Sequence, residues 1–303
     1  MSTQPSRSPR SHRIVSDLSG RAPTAQRMMF GNTLRQRRLA SGLSESEVAR
    51  RTRYSASKIN RLEHGLHDFK RTDVQRLLDI YGVTVPQERE RLLELASKAN
   101  ERGWWDPWRD VTTKALQTYV SLESLAQRIR SYESGQLHGL LQIPDYTAAL
   151  VRANSRSKEK REIDRIVELR EMRQKRFMED SRMVLRCVLD EVTLTRGYGD
   201  RQVMRRQIEH LLDLADHRRI SFRLAEMSAP NLPVQIGPMT VFDFEDGQLP
   251  EIVYIERVNG GLYLQEPQDV DELIKGFDQL MQASLHHRAC VRRLMDHRKK
   301  YAT

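Results

Sequence analysis

The chain predicts an α+β protein, mostly α, and three observations carry that prediction. Residues 30–66 alternate apolar patches, capping residues and glycines in the manner of several short helices. Residues 161–177 repeat their apolar positions at helical period, and β-branched or aromatic runs bounded by Pro and Gly gather beyond residue 183. Helices first and strands later imply an N-terminal all-α helix-turn-helix domain of about five helices. A C-terminal helical domain with a small, mostly antiparallel sheet would follow it.

Residues 1–27 are rich in Ser, Arg, Pro and Gln and predict a disordered basic arm. In the expected 28–100 domain, Leu34 and Leu39 fit a first helix that Gly42 ends. Ser44 opens a second helix, with Glu47 three residues on to complete a capping box, and Val48 and Ala49 are its apolar residues. Ser55 caps a third, in which Ile59 and Leu62 face inward and which Gly65 stops. Val74, Leu77, Leu78 and Tyr81 mark a fourth helix; Leu92, Leu93, Leu95 and Ala96 mark a fifth, beginning after Pro86.

Trp104, Trp105 and Trp108 then cluster around Pro107, a pattern that suits a packing anchor better than a ligand-stacking site. Residues 101–285 form the expected sensor or partner-binding domain. There Leu122, Leu125, Ala126 and Ile129 predict a helix ending near Gly135, and Pro144 to Val151 another. A buried strand over 183–189, a helix over 203–214 and strands at 220–224, 239–244 and 252–255 come next. The AsnGlyGly of 259–261 reads as a hairpin turn, and a long helix closes the chain in a basic segment, 286–303.

The 303 residues carry a formal charge of +10, with 38% hydrophobic and 6% aromatic residues. The charge is uneven: +4 over 1–29, +5 over 30–81, +5 over 286–303, and therefore −4 over 82–285. A basic module beside an acidic middle is expected where one part meets a polyanion. No apolar stretch approaches the ~18 residues of a membrane helix. The chain therefore reads as cytoplasmic and nucleoid-associated, without a membrane partner. Cys187 and Cys290 are too few for a disulfide framework or a four-cysteine zinc site, and they read as buried thiols.

On the third helix the outward face is Ala56, Ser57, Asn60 and Arg61, short or hydrogen-bonding groups suited to base edges in a major groove. Arg37, Arg50, Arg51, Lys58 and Lys70 are the candidates for phosphates. Residues 30–82, through GLSESEVARRT and SASKINRLEHG, resemble the phage-repressor, or xenobiotic-response-element, family of helix-turn-helix proteins. That resemblance implies a structural pair between Arg38 and Glu63. Two residues depart from the family pattern. Glu45 stands where relatives often have a phosphate-touching Gln. Arg53 stands where the turn usually has Gly, so either a non-glycine residue takes positive φ or the turn is longer.

Residues 100–285 resemble the uncharacterised C-terminal domain of many actinobacterial regulators, antitoxin-like and developmental ones included. The landmarks are GlyTrpTrp 103–105, GlyLeuLeuGln 139–142, AspTyrThrAlaAla 145–149, ArgGln 173–174, LeuAspGluValThrLeu 189–194, GlnIleGluHisLeuLeu 207–212 and ValTyrIleGlu 253–256. His138 and Ile143 stand where these relatives usually carry Pro and Thr. The resemblance implies a regulator, often encoded beside a small partner protein.

Other chemistry is weakly signalled. Asp190 and Glu191 follow a strand but lack an accompanying His, Lys or Ser constellation, so capping of the next helix is the better reading. His286, His287 and Cys290 share one helical spacing, with His297 as the only further ligand, and a solvated basic face accounts for them. Gly197 and Gly199 lack the pattern of a nucleotide loop. The expectation is a non-enzymatic, cofactor-free transcriptional regulator, a repressor, binding an inverted-repeat operator as a homodimer with half-sites ~10 bp apart. The alternative is an antitoxin-like protein that holds a small partner and autoregulates its operon.

Overall fold

The computed structural model describes residues 14–15 and 23–301, except 156, 231, 246–248 and 258–259. Most of the expected basic arm, and Asn259 of the expected hairpin turn, lie outside the described residues. After the short strand β1 (Ile14–Val15), the described residues form five helices in succession: α1 (Ala25–Ala40), α2 (Glu45–Thr52), α3 (Ala56–Glu63), α4 (Arg71–Ile80) and α5 (Pro86–Ala99). Their shared core is Phe30, Leu34, Val48, Ile59, Leu62, Val74, Leu77, Leu78, Leu92, Leu93 and Ala96. Leu34 and Leu39 both lie in α1, but Leu34 is buried whereas Leu39 is 51% exposed. Five residues rotate a helix by about 140° beyond a full turn, so the two cannot share a face. Leu95 likewise points outward at 41% exposure.

α1 crosses α3 closely because Gly31 has no side chain. A Cβ there would lie 2.5 Å from the Glu63 carbonyl oxygen and 2.7 Å from that of Leu62. Both neighbours are backbone and cannot swing away. Gly31→Ala is therefore expected to lower stability by about 1–3 kcal/mol, measured by urea unfolding, despite alanine's better helix propensity. Unchanged stability would show that the two helices slide apart at no cost.

A seven-stranded sheet follows, in the order β1-β7-β6-β5-β2-β3-β4. Its strands are β1 (Ile14–Val15), β2 (Arg128–Glu133), β3 (Val184–Asp190), β4 (Ile220–Ala225), β5 (Met239–Asp243), β6 (Ile252–Arg257) and β7 (Gly260–Leu264). Only β2–β3 and β3–β4 are parallel; the other pairings are antiparallel. The connections between the parallel strands carry α7 (Pro144–Asn154), α8 (Lys160–Glu179), α9 (Val192–Arg196) and α10 (Arg201–Leu214). Parallel strands need such crossovers, which cover the sheet and bury it.

The helix expected to run to Gly135 is corrected: α6 (Lys114–Glu123) ends first, and residues 128–133 form β2. Ile129, Arg130, Ser131 and Tyr132 are all buried, so no apolar–polar alternation marks this strand. Its polar members are satisfied across the sheet, Arg130 by Asp243 and Glu251. The single closing helix also divides, into α11 (Pro267–Ala283) and α12 (His287–Lys300), with Ser284 at the break. α12 inserts Cys290 and Leu294 into the main core of the sheet domain.

α1 belongs to both cores. Phe30 and Leu34 face the helical bundle, whereas Ala25 and Met28 join the sheet domain's core. The start of α1 is fastened to α6: the Thr118 hydroxyl donates to the Pro23 carbonyl at 3.0 Å, and the Ala25 amide donates to Ser121 Oγ. Trp105 packs with Val120 of α6 and Leu169 of α8, and the Trp104 indole donates to Ser124 Oγ at 2.9 Å. The tryptophans thus anchor the chain leaving α5 onto the second domain.

Candidate nucleic-acid interface

The local sequence builds α2, a turn and α3 as a unit. Ser44 Oγ accepts from the Glu47 amide at 3.2 Å, and Glu47 Oε2 accepts from the Ser44 amide at 2.8 Å, a reciprocal capping box. α2 stops at Arg53, which takes φ 60° and ψ 30°, the only positive-φ non-glycine among the described residues. The turn is therefore not lengthened; an arginine occupies the left-handed conformation that glycine takes freely. Ser55 then caps α3 by accepting from the Lys58 amide at 3.1 Å.

Buried beneath these helices, the Arg38 guanidinium donates to both carboxylate oxygens of Glu63, at 2.7 and 2.8 Å. A third donation goes to the Leu43 carbonyl at 2.9 Å. The pair joins the end of α1 to the end of α3. The hydrogen bond to Glu63 raises the guanidinium's pKa further, against the effect of burial.

On the opposite, solvent face, Ala56, Ser57 and Arg61 of α3 are exposed, as are Arg50 and Arg51 at the end of α2 and Lys70 just before α4. None of these cations has an ion pair among the described residues. Three other predicted contacts are already engaged. Asn60 is half-buried, and its Nδ2 donates to Glu45 Oε1 at 3.3 Å. Lys58 Nζ lies 2.8 Å from Asp73 Oδ2 and 3.5 Å from the centre of the Tyr54 ring. Arg37 pairs with Glu88 of α5 at 2.5 Å.

The sequence did not disclose the brace behind this face. Tyr54 Oη donates to Asp73 Oδ1 at 2.6 Å, Lys58 holds the other oxygen, and Arg76 donates to the Tyr54 hydroxyl at 3.2 Å. The turn between α2 and α3 is thereby fixed to α4. Its members lie up to 22 residues apart. No helical spacing links them.

The remaining candidates fall elsewhere. Asp190 caps α9 by accepting from the Val192 amide at 3.0 Å. Glu191 is buried against His297, at 2.7 Å, and accepts from the Met227 amide at 3.2 Å. His286 and His287 are exposed whereas Cys290 points into the core, so the three do not converge. No helix among the described residues is long and apolar enough to cross a membrane.

Two family matches cover most of the chain. Residues 29–92 match a family described as a helix-turn-helix domain. No curated protein and no solved structure matches the chain. Residues 116–296, well over half of the chain, match the family described as "Domain of unknown function (DUF5753)", and the protein belongs to that family.

Proposed function

We propose that the protein is a sequence-specific transcriptional repressor of the phage-repressor type, acting as a homodimer on an inverted-repeat operator, with an effector-binding C-terminal domain. The observation that carries the reading is the exposed face of α3 flanked by unpaired cations. Ser57 in the first turn and Arg61 in the last offer hydrogen bonds from the exposed face of a helix held by the Arg38–Glu63 pair. Arg50, Arg51 and Lys70 flank that face and serve the phosphates. Asn60, Lys58 and Arg37 would have to exchange Glu45, Asp73 and Glu88 for DNA, so their contribution is smaller.

Arg61→Ala is expected to cost about 1–3 kcal/mol on the operator and to relax preference at one base pair. Arg51→Ala should weaken all DNA about equally and reduce the salt slope by about 1. The check is a selected-site binding assay at several salt concentrations. Equal losses on operator and random duplex for Arg61→Ala would end its assignment as a base reader.

A second reading, an antitoxin-like protein holding a small partner, is favoured by the net −4 of residues 82–285 between basic flanks. A basic partner would complement that middle. Purification of the full chain with its neighbouring gene product separates the two readings.

A further inference from the structure

A polar cavity of about 120 Å³ opens at the C-terminal end of β2, lined among others by Tyr119, Glu133, His138, Arg170, Thr240 and Tyr254. β2 is the strand at which the sheet changes character, parallel to β3 on one side and antiparallel to β5 on the other. A concave site with a few convergent polar groups is where a small ligand can be held.

The lining carries two arginines, Arg170 and Arg173, together with the carboxyl groups of Glu133 and Glu256. Arg173 is occupied, donating twice to Glu123 at 2.8 and 2.7 Å. Arg170, one helical turn earlier, has no carboxylate within ion-pair distance among the described residues; its one hydrogen bond goes to Gln142 Oε1. That amide oxygen is shared with the Thr147 hydroxyl, at 3.0 Å. Burial, with Arg173 adding like-charge repulsion, pushes Arg170 down to about 10, so it is still a cation at neutral pH. Arg170 is half-buried, and a guanidinium without a carboxylate partner at the rim of a cavity can take an anion through charge-assisted hydrogen bonds.

The neighbours favour an anion as well. Burial pushes Glu133 up to about 8, so its carboxyl is protonated at neutral pH and can donate. Burial holds His138 neutral, down to about 3. Its Nδ1 accepts from the Leu140 amide at 3.2 Å, which leaves the ring proton on Nε2, facing Tyr119 Oη at 3.1 Å. The Tyr119 hydroxyl hydrogen is thereby directed away from the imidazole, toward Thr240 or the cavity. Leu116, Leu137 and Met239 supply an apolar wall beside these donors. The volume is on the order of four water molecules' share of the liquid, room for a carboxylate on a short aliphatic body.

The geometry points to a small monocarboxylate as the occupant of this cavity, its carboxylate held by Arg170, with α6 relaying occupancy to the helix-turn-helix through α1. The relay rests on the DNA-binding reading above and has a short path. Leu116 and Tyr119 of α6 line the cavity, while Thr118 and Ser121 of the same helix bond to the start of α1. A ligand that shifts α6 therefore moves the element shared by both cores.

Calorimetry on the full chain without DNA tests the site, using acetate, propionate, butyrate and lactate, with butyramide as the uncharged control. Saturable heat is expected from at least one acid and none from the amide. Arg170→Leu should weaken that binding at least about tenfold, the scale of a charge-assisted contact. Tyr254→Phe, which removes one hydroxyl and keeps the ring, should weaken it less and serves as the variant certain to fold. Absence of saturable binding for all four acids, or equal affinity in Arg170→Leu, overturns the site.

The relay is then read as the change in operator affinity on adding the acid that binds. A Thr118→Val, Ser121→Ala double variant should keep acid binding and lose that change. Acid binding with operator affinity unaltered overturns the relay. A chain that binds acid but no DNA overturns the regulator reading and the relay, while the calorimetry upholds the site.

Discussion

Arg38→Ala is expected to lower the unfolding free energy of the helix-turn-helix by about 3–5 kcal/mol, since it leaves the Glu63 carboxylate buried without its partner. Glu63 is 4% exposed and Arg38 6%, so water cannot take the guanidinium's place without opening the junction of α1 and α3. The Leu43 carbonyl would lose its donor too. An Arg38→Met, Glu63→Leu double variant should recover most of that loss, because no uncompensated charge remains. Chemical denaturation of the parent, the Arg38→Met and Glu63→Leu single variants and the double variant gives the coupling energy. A double variant as unstable as Arg38→Ala would mean that the pair's geometry is irreplaceable and its charge incidental. DNA binding separates the two contributions further, since the pair sets the angle at which α3 is presented.

Glu123→Ala is expected to have an effect of the same size, about 3–5 kcal/mol, in the sheet domain. Glu123 and Arg173 are buried at 4% and 6% exposure and join α6 to α8 through two hydrogen bonds. The released Arg173 would lie beside Arg170 in the cavity, two guanidinium groups without an ion-pair partner among the described residues. Anions should then stabilise the variant more than the parent, so its melting temperature is expected to rise more steeply with sulfate. The position of α1 makes a further distinction. If Ala25 and Met28 couple the two cores, Glu123→Ala lowers the transition of both domains together. Two separated transitions, with only the later one shifted, would show that the cores unfold independently.

Much of the DNA-facing module was legible in the residues because its determinants are local. The Ser44–Glu47 box and the Ser55 cap each act across three residues, and helical period placed Val48, Ile59 and Leu62 inside. Arg53 was singled out by the family resemblance, which puts Gly at that turn and left positive φ or a longer turn open; the structure has φ 60°.

The strand at 128–133 was read as helix because Leu122, Leu125, Ala126 and Ile129 are spaced as in a helix, while burial on both faces erased the alternation of a strand. Asn60 with Glu45, Lys58 with Asp73 and Arg37 with Glu88 join residues 15 or more positions apart, where spacing no longer reports proximity. The cavity is the extreme case: β2, β5, β6, α6 and α8 each supply part of its wall. Caps, turns and inward faces follow from bonds spanning one helical turn, and the chain's order alone defines them. Which cations stay open to DNA, and which arginine lacks an anion, depend on surfaces brought together from residues 15 or more positions apart. That meeting is fixed by the burial of two cores sharing α1, a property of the folded whole.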